Sequence, residues 1–238
     1  MGIKYKRVLL KLSGEALAGK KKVGLDYDII GDICDVIKEC YDLGVEFGIV
    51  IGGGNFWRGR SSGDGMDRVR ADQIGMLATV MNSLAVADVL EQKGVVTRVA
   101  TAVSIQTVAE TYIRNRVIRH FEKGRAVIMA GGTGSPFFST DSAAALRATE
   151  IKAEIFLKAT MVDGVYNKDP KKFNDAVRYE KLTYGEILEQ RLNVIDSTAA
   201  TMCNDNNMKL LVFDLSQPEN IKKAILGENI GTLVSVSG

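Results

Sequence analysis

Three glycine-bearing turns in this chain stand directly behind short apolar runs. Lys11-Leu12-Ser13-Gly14 closes residues 7–12, Gly52-Gly53-Gly54-Asn55 follows residues 45–51, and Gly131-Gly132-Thr133-Gly134 follows residues 125–130. Glycine at such points lets backbone N–H groups approach an anion with no Cβ in the way, which makes a phosphate-sized concavity. One such turn is weak evidence, because glycine also simply makes turns. Three at strand ends, one carrying Lys11, point to phosphate chemistry. A lysine there is a fixed positive charge of the kind phosphoryl transfer requires; the plain alternative is a surface lysine flanking a strand.

The familiar phosphate motifs are missing. No G-x-x-x-x-G-K-[ST] occurs, neither glycine cluster completes G-x-G-x-x-G, and the H-R-D and D-F-G elements of protein kinases are absent. Cys34, Cys40 and Cys203 are scattered and odd in number, with no C-x-x-C pair, which argues against a disulfide framework and a zinc site. Cys34 and Cys40 read as small core hydrophobes. His120, the only histidine, lies on a helical stretch without a partner motif and reads as a surface or interface residue.

The elements that would position these turns are short apolar runs alternating with amphipathic stretches. Strands are expected at residues 7–12, 45–51, 95–102, 125–130, 154–158, 210–214 and 233–236. Helices are expected at 27–43, 70–92, 116–122, 141–151, 197–206 and 218–226. Several strands are apolar at successive positions, as when helices cover both sheet faces. The pattern predicts an α/β fold: a three-layer α/β/α sandwich with a mostly parallel central sheet. In such sheets ligands bind beyond the carboxyl ends of the strands, so the three turns gather on one edge. The helix at 70–92 has almost no polar face, so it is either deep in the core or shared with another subunit, and the second is preferred.

The 238 residues suffice for a sizeable core, and 46% hydrophobic with 25% charged residues is ordinary soluble composition. A net charge of +2 is too mild for a nucleic-acid binder or a polybasic membrane anchor. No signal-length apolar region follows the basic start, and no run of about 18 apolar residues occurs. A cytoplasmic protein, with no nucleic-acid or membrane partner, is expected.

Lys11-Leu12-Ser13-Gly14-Glu15-Ala16-Leu17, Val50-Ile51-Gly52-Gly53-Gly54-Asn55, Gly134-Ser135-Pro136-Phe137-Phe138-Ser139-Thr140-Asp141 and Lys158-Ala159-Thr160-Met161-Val162-Asp163-Gly164-Val165-Tyr166 closely resemble the bacterial uridylate kinases. Those enzymes are members of the amino acid kinase superfamily, with acetylglutamate kinase, carbamate kinase and aspartokinase. The resemblance spans essentially the whole chain. It implies one amino acid kinase domain over 1–238, with an acceptor part at about 1–152 and an ATP part at about 153–238. It implies transfer of the γ-phosphoryl of Mg-ATP to UMP, giving UDP and ADP in pyrimidine nucleotide biosynthesis, with Mg2+ delivered by the nucleotide. The alternatives are a carboxylate or carbamate kinase of the superfamily and a non-catalytic nucleotide- or oxyanion-binding protein of the same fold.

By the same resemblance, Lys11 reaches the transferring phosphoryl group. The backbone of Leu12, Ser13, Gly14, Gly53 and Gly54 cradles phosphates, with Gly53 toward UMP and Gly54 toward ATP. Arg58 would hold phosphate oxygens in a fork where the two nucleotides meet. Asp72 is implied to accept the UMP ribose hydroxyl; interaction with a helix N-terminus would also explain it. Thr133, Gly134, Ser135, Pro136, Phe137, Phe138, Ser139 and Thr140 form the implied uracil and UMP pocket, with Ser139 or Thr140 also able to cap the following helix. Asp141 is implied to orient Lys11, and a carboxylate in the first turn of a helix is also stabilised there. Thr160, Tyr166 and Asp169 are implied for adenine and ribose, although Tyr166 could cover a core and Asp169 before Pro170 could form a turn. Lys158 would add a second positive charge. Asp196 reads first as an N-cap and second as a residue placing both lysines. Gly19, Lys20, Lys21, Lys22, Val23 and Gly24 match a segment linked to activation by GTP; UTP inhibition and a homohexamer are further family expectations. The run of three lysines departs from the family there.

Overall fold

The structure is a computed structural model and describes residues 2–57, 65–170, 172–192 and 194–237. In chain order the elements are β1 (Arg7–Leu12), α1 (Gly14–Ala18), α2 (Tyr27–Asp42), β2 (Glu46–Ile51), α3 (Arg68–Gln92), β3 (Thr97–Thr101), β4 (Glu110–Thr111), α4 (Arg114–Glu122), β5 (Ala126–Ala130), α5 (Thr140–Glu150), β6 (Ile155–Thr160), β7 (Val165–Tyr166), β8 (Arg178–Tyr179), β9 (Lys181–Thr183), α6 (Tyr184–Glu189), α7 (Ser197–Asp205), β10 (Leu210–Asp214), α8 (Asn220–Leu226) and β11 (Thr232–Ser235). All seven expected strands and six expected helices are present, β1 and β10 with the expected bounds and the others with ends shifted by one or two residues. The sequence pattern missed the short strands β4, β7, β8 and β9, the two short helices α1 and α6, and the first two residues of α3.

Among the described residues, nine strands form one sheet in the order β4-β3-β5-β2-β1-β6-β10-β11-β9. Neighbours run parallel except β10 with β11. Strands β1, β2, β5, β6 and β10 are buried almost throughout, which explains their continuous apolar runs. One core lies under α2, α3 and α8, with Leu10, Phe47, Ile49 and Phe213; the other lies under α4, α5, α6 and α7, with Leu9, Phe156 and Tyr184. Cys34 and Cys40 are buried in the first core, where burial pushes both thiols up to about 12.

The chain leaves β1 toward β2 on one side and returns to β6 on the other. This reversal of strand order opens a crevice at the carboxyl ends of β1, β2 and β6.

Helix α3 is long and apolar enough to span a membrane by length and composition, but it packs against α2, β2, β3 and β5. Its distribution differs from a simple apolar rod. Thr79, Asn82 and Ser83 are buried, whereas Ile74, Leu77 and Met81 are exposed. Each of these inward-facing polar groups has a partner: Ser83 donates to the Thr79 carbonyl at 2.7 Å, Asn82 to the Gly52 carbonyl at 2.7 Å, and Thr79 to the Met76 carbonyl at 2.6 Å.

His120 is a correction to the surface reading, being 7% exposed. Its ring faces Glu110 at 3.1 Å and Arg125 at 3.2 Å. Both partners lie outside α4, where helical periodicity gives no sign of them.

Candidate functional site

Lys11 and Lys158 are register partners on β1 and β6. Adjacent residues in register send their side chains from the same face of a sheet. Helix α5 packs on β1, β2 and β6, and its first turn carries Asp141 between the two lysines. Asp141 Oδ1 lies 3.1 Å from Lys11 Nζ and Oδ2 lies 2.5 Å from Lys158 Nζ. Lys158 also donates to the Val194 carbonyl. Burial works against the Asp141 charge, yet the two ammonium groups outweigh it and hold the carboxyl below its usual range. Burial pushes the Lys158 ammonium down, with Asp141 opposing and Lys11 adding to that shift. The directions agree with the charges present: one carboxylate is shared by two ammonium groups, and Asp196 acts on Lys158 from farther off. Such a centre is suited to an incoming phosphate.

Ser139 caps α5, accepting from the Asp141 and Ser142 N–H groups at 3.0 and 3.2 Å. Asp196 caps α7 through the Ala199 N–H at 3.0 Å, and also accepts from the Ser139 and Ser142 hydroxyls. The cap reading of Asp196 therefore holds. Its contact with the lysines is indirect, through the start of α5.

A cavity of about 640 Å3 opens on one side of this centre. Gly53, Gly54, Asp72, Thr133, Ser135 and Phe137 line it, as do Phe138, Ser139, Thr140, Asp141 and Asp196. Gly134 and Pro136 are not among its lining residues. Gly134 has φ +85°, and a Cβ there would meet Ala102 at 3.2 Å, so its glycine serves the turn. Asp72 lies inside α3, whose N-cap is Asp67, so the N-terminus reading does not apply. Instead its Oδ2 accepts from Phe137 N–H at 2.8 Å and from Arg68 Nε at 2.9 Å. Phe137 has φ +72°, a costly conformation for a residue with a side chain. The Asp72 carboxylate holds it there.

A second cavity, about 550 Å3, lies beside Lys158 and the β7–β8 hairpin, with Thr160, Tyr166 and Asp169 among its lining residues. The Tyr166 hydroxyl donates to Asp163 at 2.8 Å. The Asp169 carbonyl accepts from the Lys172 and Phe173 N–H groups at 3.0 Å, so the turn reading of this residue is also satisfied.

The glycines between the cavities serve the protein itself. A Cβ on Gly14 would meet the Gly52 carbonyl oxygen at 2.4 Å, and one on Gly53 would meet Ala78 and the Gly75 carbonyl at 2.9 Å. Leu12 is fully buried, its carbonyl accepts the Gly52 N–H at 2.9 Å, and it lines neither cavity. Ser13 leads into α1, its carbonyl accepting the Ala16 N–H at 3.1 Å. Gly19, Lys20 and Lys22 border a third cavity of about 610 Å3, outside the two described; Lys21 donates to the Leu25 carbonyl at 3.3 Å, and Val23 is exposed. Gly24 is bonded at both ends to Asn55. Arg58 lies outside the described residues.

Sequence reasoning missed several residues here. Asn55 and Asn82 exchange amide hydrogen bonds at 2.9 and 2.7 Å, and Asn82 also donates to the Gly52 carbonyl at 2.7 Å, locking the glycine turn to α3. An asparagine inside an otherwise apolar helix was the available signal. Thr79, also on α3, accepts the Gly131 N–H at 2.9 Å. Trp57 and Arg68 line the larger cavity.

Residues 6–214 match the amino acid kinase family. Among solved structures, UMP kinase from Bacillus anthracis is 40% identical, with a TM-score of 0.95 over 98% of this chain and 97% of that one. UMP kinase from Ureaplasma parvum is 36% identical, with a TM-score of 0.92 over 98% and 100%. Uridylate kinase from Archaeoglobus fulgidus is 31% identical, with a TM-score of 0.76 over 96% and 99%. With matches of that extent and a crevice of this construction, the chain belongs to the amino acid kinase family.

Proposed function

We propose that this chain is a UMP kinase that transfers the γ-phosphoryl group of Mg-ATP to UMP. The observation that carries the reading is the Lys11–Asp141–Lys158 centre set between two nucleotide-sized cavities. The likeness to UMP kinases over nearly the full length of each chain supports the choice of acceptor. UMP occupies the larger cavity, with Asp72 at its ribose and residues 133–140 around its base and phosphate. ATP occupies the cavity beside the hairpin, with Thr160, Tyr166 and Asp169 toward its adenosine. The division into acceptor and donor parts then falls between α5 and β6.

The phosphates meet over Lys11 and Lys158. A UMP phosphate oxygen attacks the γ-phosphorus in line, a new P–O bond forms, and the bond to the β-phosphate oxygen breaks to release ADP. The two ammonium groups neutralise oxygens whose negative charge spreads in the transition state. No histidine base is required, because the attacking phosphate is already an anion. Asp141 is engaged by two ammonium groups, which supports magnesium held by phosphate oxygens and water rather than by a protein cage. The exposed Ile74, Leu77 and Met81 on α3 support a homo-oligomer, with the hexamer as the family arrangement. GTP activation and UTP inhibition, with residues 19–24 in the GTP response, stay part of this reading, as do a cytoplasmic setting and a place in pyrimidine nucleotide synthesis.

Incubating the protein with Mg-ATP and, separately, UMP, CMP, acetylglutamate and carbamate tests the proposal. UDP from UMP is the expected product. ADP release with acetylglutamate or carbamate but not UMP would move the chain to a carboxylate or carbamate kinase; ATP binding without turnover on any acceptor would make it a non-catalytic binder.

A further inference from the structure

Helix α5 carries one charged side chain inside its buried face. Ser142, Ala143, Ala144, Ala145 and Ala148 are small and buried, and Arg147 among them is only 4% exposed. Burying a guanidinium is costly unless its donors are satisfied. Here three sides are occupied. Arg147 Nη1 donates to Glu150 Oε2 at 2.6 Å, and its Cζ lies 3.7 Å from the centroid of the Tyr112 ring. Tyr112 in turn donates to Glu150 Oε2 at 2.5 Å, so carboxylate and ring are fixed to each other. The remaining arm, Nη2, reaches the Gly132 carbonyl at 3.3 Å.

That carbonyl belongs to the larger cavity. Gly132 and Thr133 both line it, and the loop passes through φ +77° at Gly131, +62° at Gly132 and +85° at Gly134. Glycines in this region leave peptide planes free to turn over. From outside the loop, Thr79 takes the Gly131 N–H and Asp72 takes the Phe137 N–H; within it, the Gly134 N–H donates to the Gly131 carbonyl at 3.1 Å and the Thr133 hydroxyl to the Ser135 carbonyl at 3.1 Å, and neither bond engages the Gly132–Thr133 peptide at the middle of the turn. The Gly132 carbonyl and the Thr133 N–H share one planar trans peptide, so they point in opposite directions. Holding the carbonyl against α5 turns the Thr133 N–H away from Arg147.

We infer that Arg147 is a positioning residue for the acceptor nucleotide: through the Gly132 carbonyl it sets the Gly132–Thr133 peptide so that the Thr133 N–H is presented to an oxygen of the nucleotide. The inference rests on the reading of this cavity as the acceptor site. Arg147 itself touches no substrate. A merely structural role in packing α5 on the β4–α4 connection would lower stability without distinguishing the two nucleotides.

The experiment compares wild type with Arg147→Met and Arg147→Lys in steady-state kinetics for both nucleotides. UMP binding without ATP is followed by the fluorescence of Trp57, the single tryptophan and a residue of the cavity wall. Arg147→Met should raise the KM and Kd for UMP about tenfold or more, as loss of a hydrogen bond from a charged donor does, while the KM for ATP changes less than about twofold. Arg147→Lys should recover part of the UMP affinity, keeping the charge without the fork. If Arg147→Met does not fold, Glu150→Gln, which removes the counter-charge and keeps the shape, should show the same selective change to a smaller degree. A folded Arg147→Met with wild-type UMP affinity overturns the inference, as does an equal loss for both nucleotides. Wild type that binds UMP and forms no UDP overturns the kinase reading, and the binding arm then decides on Arg147 alone. Wild type that fails to bind UMP overturns both.

Discussion

The two cavities flanking the lysine pair are held by different means. The larger is anchored from behind by buried groups: Thr79, Asn82 and Arg147 are each less than a tenth exposed, and each bonds the backbone of a glycine turn. The smaller is lined by the two-residue strand β7 and the loop after it, which are braced from outside by β8 and by ion pairs that face water. Lys168 pairs with Asp175 at 2.5 Å and Arg178 with Asp163 at 3.1 Å, with the two carboxylates 77% and 54% exposed. Buried hydrogen bonds to backbone fix geometry, whereas exposed ion pairs are screened and contribute little. On the proposed assignment, discrimination is built into the acceptor side before any nucleotide arrives. The donor side needs only to accept a nucleotide common to many enzymes.

The largest effect should come where the two regions meet. Asp141→Asn leaves two ammonium groups without their shared carboxylate. Turnover should fall by about a thousandfold, and stability by about 3 kcal/mol, as for a broken buried pair, read by initial rates and denaturant unfolding. Its pH dependence carries a sign. The folded carboxyl titrates below its unfolded value of 3.8, so its stabilisation is complete above that value and is lost as pH falls through the lower folded value. The variant should lack this acid dependence; an acid-unfolding profile identical to wild type would count against the ion-paired trio.

Lys11→Ala should cost on the order of a hundredfold in turnover with both nucleotides still bound. Near-normal turnover would remove Lys11 from the transfer step. Asp72→Ala releases the Phe137 N–H and the strained φ it holds; the UMP KM should rise about tenfold with the ATP KM nearly unchanged. A rise confined to ATP would reverse the assignment of the cavities. Smallest of all, Asp175→Asn on the hairpin side should leave stability within about 0.5 kcal/mol. A larger loss there would erase the contrast between the two regions.

Much of this was legible in the sequence, for identifiable reasons. Continuous apolar runs gave the buried parallel strands, and glycine turns behind them gave the crevice edge. Asp141 was legible as an acid in a helix's first turn, and the cap before it as Ser139 or Thr140, of which the structure uses Ser139. What was not legible depends on contacts far apart in the chain. Asp72 meets Phe137 across 65 positions and Asn55 meets Asn82 across 27. The β7–β8 hairpin has strands too short to show a period of two. Gly14 and Gly53 read as open cradles, whereas packing against Gly52, Gly75 and Ala78 also forbids them a Cβ. His120 read as surface because its helix says nothing about Glu110 and Arg125.

The most direct test of the central claim is to incubate the protein with γ-labelled Mg-ATP and UMP and follow the label. The account predicts label in UDP, in step with ADP, and a UMP-dependent change in Trp57 fluorescence that does not require ATP. Label that remains in ATP or appears only as inorganic phosphate, while UMP still perturbs Trp57, would contradict transfer across the Lys11–Asp141–Lys158 centre.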